Sequence, residues 1–312
     1  MRTGFLCDVD LPNYITSPDS YNYLPGKHSA TGYYYWILKN NNISDIHLVS
    51  PDDNLNLYDT IVYHYDNKEC INHSCYNTIQ VVSDRPFDPK ADILIAANRH
   101  VVSPVKSVEI AKRYGISSIN SDWIDQSKWR FIHYPPTYGI KKCTAQWPPT
   151  NFKFVGREHT LIPEIKTPQF IDKCSRAGFN LILDFDSDGN RGDEDVYFCV
   201  RNVSHKGKTT GIENNFGPGG HRTANRLYQG WFMNTPCIFN ISPEMAGLRS
   251  DELDYLIAND AEELFDQAIR LREDKDLFCN MIERCKSNHI DNPYYDISIV
   301  VEQWIDVLKY FK

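Results

Sequence analysis

The sequence predicts an α/β protein made of two domains, each with a parallel sheet. Three observations lead there. The chain has 312 residues, too many for one small core and suited to two ordinary ones. Short runs rich in Ile and Val alternate with segments of helical pattern in both halves, the signature of parallel strands covered on both faces. Between the halves, residues 134–150 carry two Pro-Pro pairs, and proline continues neither a helix nor a sheet interior.

In the first half, residues 4–9 read as a strand and 29–39 as a helix with aromatics behind Gly32. Residues 45–49, 60–65, 78–83 and 92–97 are strand-like. A helix over 107–114 ends at Gly115, a strand follows at 116–120, and a short helix over 121–129. After the proline-rich stretch the alternation resumes. Strands are expected at 152–155, 181–185, 196–200 and 236–240, with helices at 168–177, 223–232, 261–272 and 275–286. A last helix over 296–311 places Ile297, Val300, Val301, Trp304, Ile305 and Leu308 at helical spacing. The division is then 1–140, a linker at 141–150, a second domain at 151–295 and a terminal helix at 296–312. Two α/β domains joined by a stiff linker leave a cleft, where substrates usually sit.

Composition narrows the function. Hydrophobic residues make up 41% and charged residues 24%, a globular balance that excludes collagen-like, coiled-coil and wholly disordered chains. No stretch approaches the roughly 20 apolar residues of a membrane-spanning helix, and the N-terminus resembles neither a signal nor a transit peptide. The net charge of −8 lacks the broad positive field of proteins that grip extended nucleic acid. Nine cysteines, an odd number mostly in apolar runs, read as free thiols of a reducing, cytoplasmic compartment. Cys70 and Cys75 lie close in sequence to His64, Asp66 and His73; zinc is conceivable there, but no second pair completes a tetrahedral set, and a polar loop is the simpler account.

The most informative stretch is 217–238, G-P-G-G-H-R-T-A-N-R-L-Y-Q-G-W-F-M-N-T-P-C-I. A glycine cluster opens a helix that leads through Asn-Thr-Pro into an apolar strand. Such a helix start offers unpaired N–H groups and partial positive charge to an anion. His221 and Arg222 add donors, with Lys206, Lys208 and the strand-ending Arg201 upstream. The simpler reading is an ordinary glycine-rich loop with solvated basic residues.

Residues 225–239, N-R-L-Y-Q-G-W-F-M-N-T-P-C-I-F, followed by 243–257, P-E-M-A-G-L-R-S-D-E-L-D-Y-L-I, resemble the donor half of GT-B glycosyltransferases. The best likeness is to small bacterial-type members whose helix reads like K-L-x-N-A-W-x-A-G-x-P. Leu227, Gln229, Gly230, Trp231 and Pro236 fall on that pattern. Two departures stand out: Gln229 occupies a place where many retaining members carry an acid, and Asn234 one where glycine is usual.

The resemblance covers residues 150–312 and implies a GT-B enzyme: two Rossmann-like domains facing across a cleft, the second holding a nucleotide-diphosphate sugar and the first an acceptor. It implies a donor site formed by Gly156, Arg157, Arg201, Lys208, Gly219, Gly220, His221, Arg222 and Thr223. Glu244 would accept bonds from the nucleotide ribose. Transfer would go to a hydroxyl of a glycan or another acceptor, with no metal and no cofactor beyond the donor. The base would come from the first domain: Asp8 and Asp10 follow the first strand, and His28 precedes the first helix. His100 and His133 are weaker choices, and Tyr33, Tyr34 and Tyr35 read as a core face before a sugar-stacking one.

Two other functions fit the residues. One is a sugar-nucleotide-modifying α/β enzyme such as an epimerase. The other is a calcium-dependent carbohydrate-binding protein, because Asp184, Asp186, Asp188, Gly189 and Asp195 match the spacing of a calcium loop. The strand pattern before Asp184, where a calcium-loop helix belongs, favours an acidic surface turn.

Overall fold

In a computed structural model, residues 1–7, 26–82, 88–96, 127–133, 141–156, 158–185, 194–200, 224–240, 243–291 and 296–311 are described. The first half forms a six-stranded sheet from β1 (Thr3–Leu6), β2 (Ile46–Val49), β3 (Thr60–His64), β4 (Asn77–Val82), β5 (Ile93–Ala96) and β6 (Trp129–Phe131). The order is β2-β1-β3-β4-β5-β6, and every pairing is parallel. The period of two divides its residues between two cores. Phe5, Val62, Ile79, Val81, Ile93 and Ile95 face one core. Leu6, Ile61, Tyr63, Val82, Leu94 and Ala96 face the other. Helix α1 (Gly26–Asn40) covers the first of these faces with Tyr33, Tyr34, Ile37 and Leu38. The two tyrosines are therefore core residues.

The strand β6 corrects the sequence reading. Trp129 was expected to end a helix over 121–129, yet it opens a strand paired with β5 through Leu94↔Trp129. Three residues of Trp-Arg-Phe carry too little periodicity to separate the two periods. Residues 121–126, and the helix and strand expected at 107–120, lie outside the described residues.

The second sheet comprises β7 (Asn151–Val155), β8 (Asn180–Asp184), β9 (Val196–Cys199), β10 (Cys237–Phe239) and β11 (Leu256–Ile257) in the order β11-β10-β9-β7-β8, again parallel. Around it lie α2 (Pro168–Arg176), α3 (Asn225–Met233), α4 (Pro243–Leu248), α5 (Ala261–Glu273) and α6 (Lys275–Asp291). Thr167 caps α2 by accepting from Phe170 N, and Asp260 caps α5 by accepting from Glu263 N, each satisfying a donor the helix start leaves open. Helix α4 and strand β11 were not read from the sequence; six and two residues repeat their pattern too few times to tell helix, strand and loop apart.

Residues 141–150 are docked on the second sheet. Asp195, just before β9, accepts from the backbone N–H of Gln146, Thr150 and Asn151 and from the Thr150 hydroxyl, at 2.9–3.1 Å. Cys143 N donates to Met233 O at 2.8 Å and Arg272 to Pro149 O at 2.6 Å.

The last helix, α7 (Ile297–Lys309), packs into the core of the first sheet. Trp304 is fully buried, its ring 5.5 Å from that of Phe5 and 5.1 Å from that of Tyr34. His133 sits beside this joint: its N–H donates to Gln303 of α7 and its carbonyl accepts from Tyr34 Oη. The imidazole is buried edge-on to Phe131, which makes His133 a packing residue. None of the nine cysteines forms a disulfide. Among the described residues no helix is long and apolar enough to cross a membrane.

Candidate functional site

Both sheets share one connectivity. Numbered from its own first strand, each runs 2-1-3-4-5, with β6 added to the first. In such sheets the connections diverge on either side of the first strand, and the crevice at the carboxyl ends there accommodates ligands. That point lies between β1 and β3 in the first sheet and between β7 and β9 in the second.

In the second sheet β7 ends at Val155 and Gly156, and β9 ends at Cys199. The chain leaves β9 into residues 201–223 and returns at Ala224 to begin α3. The predicted donor residues Arg201, Lys208, Gly219, Gly220, His221, Arg222 and Thr223 all belong to that segment and, with Arg157, lie outside the described residues. So do Asp8 and Asp10, which follow β1 in sequence. His28 falls in the first turn of α1 and Glu244 in that of α4; their side chains are outside the described set. Gly156 is in place at the end of β7.

One side chain at this point was missed. Arg226, the second residue of α3, reaches down between the ends of β7 and β9. Its Nη1 donates to Val155 O and, at 3.1 Å, to Tyr197 Oη. The guanidinium carbon lies 5.4 Å from the centre of the Phe154 ring. A Cβ at position 156 would collide with Nη2, so the absent side chain of Gly156 is what makes room for it. The only sequence signal was a lone cation ahead of the uncharged, mostly apolar run from Leu227 to Met233, and charges in a first turn ordinarily face water.

The motif residues around Arg226 are packing devices. A Cβ on Gly230 would run into the Cys237 sulfur, so the glycine lets α3 lie directly on β10. Asn234 ends α3 in the left-handed region, φ 58° and ψ 41°, where glycine or asparagine fits best. This explains the departure at that position. Trp231 is buried and donates from Nε1 to Asp254 O at 3.3 Å. Asp254 is itself buried and accepts from the N–H of Ser250 and Asp251 and from Asn288.

The calcium reading fails on topology. Asp184 is in register with Val155 at the carboxyl end of β7, whereas Asp195 N donates to Asn151 O at its amino end. Four strand residues, about 13 Å, separate the two levels, and the Asp195 oxygens are already engaged by residues 146–151. First and last ligands of one calcium loop cannot lie so far apart. The zinc reading finds no support either. His73 bridges Thr78 and Asp88, Cys75 accepts from Asn72, and no cluster of three metal-ligating side chains occurs among the described residues.

No protein-family model matches the chain, and no curated protein sequence resembles it at a significant level. Solved structures do. Anabaena HepE in complex with UDP aligns over 99% of this chain and 100% of its own, at 10% identity and a TM-score of 0.53. A glycosyltransferase from Rickettsia africae aligns over 99% and 98%, at 9% identity and a TM-score of 0.55. The lipopolysaccharide outer core galactosyltransferase WaaB aligns over 99% of both chains, at 10% identity and a TM-score of 0.50. Identities this low speak for architecture. The two sheets, their shared strand order and end-to-end coverage together establish that the chain has the GT-B fold, two Rossmann-like units in succession.

Proposed function

We propose that this chain is a glycosyltransferase that moves a hexosyl group from a nucleoside-diphosphate sugar to an acceptor hydroxyl. The observation that carries the reading is the alignment of nearly the entire chain with glycosyltransferases of this fold. HepE has been solved with UDP-glucose bound, which makes a uridine donor the first to test. The second domain, residues 151–295, holds the donor at the β7/β9 crevice; residues 1–140 bind the acceptor.

In the reaction the bond from the sugar C1 to the diphosphate oxygen breaks, its electron pair leaving with the diphosphate. A new bond forms from C1 to the acceptor oxygen. The hydroxyl proton passes to a base, for which Asp8, Asp10 and His28 are the candidates. Charge grows on the leaving diphosphate. Arg201, Lys208, His221, Arg222, the amide groups around Gly219, Gly220 and Thr223, and the start of α3 stabilise it without a metal. Gly156 and Arg157 complete the phosphate side, and Glu244 holds the ribose.

A thermal-shift series with UDP, GDP, CDP and TDP tests the reading. A ligand at a hundred times its dissociation constant stabilises the fold by about 2.7 kcal/mol. Replacing Arg222 or Lys208 with Ala should weaken the diphosphate more than the free nucleoside. A melting temperature unmoved by all four nucleotides would refute the assignment. Transfer surviving excess chelator is the expected result for a metal-free site.

A further inference from the structure

Arg226 poses a problem that packing alone does not solve. It is a guanidinium, charged at every accessible pH, and partly buried at the carboxyl edge of the second sheet. Among the described residues no carboxylate pairs with it. Its protein acceptors, Val155 O and Tyr197 Oη, are neutral and both engage Nη1. Withdrawing a cation from water without an anion is costly. Nη2 lies against the Cα of Gly156, in space that any other residue would fill. The side chain thus meets the end of β7 with its Nη2 beside Gly156. A methionine or leucine would fill the same space at less cost, so the charge calls for a counter-charge that the described residues do not supply.

We propose that Arg226 is a ligand for the donor diphosphate: Nη1 anchors it to Val155 at the end of β7 and to Tyr197 of β9, and its unused N–H groups receive a phosphate oxygen at Gly156. The assignment rests on the glycosyltransferase reading and adds a contact on the rigid sheet edge. Tyr197 is its positioning residue, holding the guanidinium plane through the 3.1 Å bond.

The test compares UDP with uridine by calorimetry on the full chain. A hydrogen bond to a charged group contributes about 1.5–3 kcal/mol, roughly 10- to 100-fold in affinity. Arg226→Met should therefore lose at least about tenfold for UDP and leave uridine unchanged, and Arg226→Lys should fall between it and the parent chain. Tyr197→Phe, which keeps the ring, should show a smaller loss with the same selectivity. Should the Met variant not fold, the Lys and Phe variants carry the test. Equal losses for UDP and uridine, or no loss for either, would overturn the assignment while leaving the glycosyltransferase reading intact. A parent chain that binds none of the four nucleoside diphosphates sinks both.

Discussion

Gly230 and Cys237 set how closely α3 approaches β10, and a single methyl group is enough to test that contact. Gly230→Ala should destabilise the protein by about 1–3 kcal/mol, the usual cost of overpacking, read from urea denaturation. Combining it with Cys237→Ala should recover part of the loss, because the sulfur is what the new Cβ meets. At the end of the same helix, Asn234→Ala should cost about 1 kcal/mol, since alanine lacks the short polar side chain that lets asparagine adopt the left-handed region; Asn234→Gly should be neutral. The Asn-Thr-Pro step into β10 was legible in the sequence because turn residues and a proline before an apolar run mark a break between elements. Arg226 was not, because its meaning depends on β7, a strand distant in sequence whose edge it meets only after folding.

Two features tie the elements together. Trp304 of α7 fills the core of the first sheet between Phe5 and Tyr34. Trp304→Ala should cost about 3–5 kcal/mol and lower the midpoint of denaturation without changing cysteine reactivity in the native state. Asp195 holds residues 146–151 with four accepted hydrogen bonds. Asp195→Asn turns an amide donor toward donors and should cost about 1–3 kcal/mol, and faster proteolysis within 141–150 would register the loosened segment. Strands such as β3, β4 and β9 were readable because Ile, Val and aromatic runs have few competing conformations. The elements β6, β11 and α4 were not: Trp-Arg-Phe, Leu-Ile and Pro-Glu-Met-Ala-Gly-Leu repeat no pattern often enough to separate helix, strand and loop.

Across the whole molecule, strand order was beyond the sequence. Alternating strands and helices imply parallel sheets, but which strands become neighbours is decided by long-range burial. The pH response is also set by distant groups. His289 of α6 has its pKa held below the ordinary histidine value, chiefly by burial and further by Lys142 of the docked segment. The unfolded chain then takes up a proton that the folded one resists. Stability should be greatest above about pH 6.5 and fall as the pH drops from there toward the lowered value. Urea midpoints at pH 7.5 and 5.5 should differ less in a His289→Asn variant than in the parent chain. The return of α7 to the first sheet has a consequence for biosynthesis. Helix α1 shields part of the oily side of β1, β3 and β5 as soon as it is made, but the gap between Phe5 and Tyr34 is filled by Trp304 only once α7, which follows both sheets, has emerged. Until then the first sheet keeps that patch open to water, and it depends on a shielding partner or on speed.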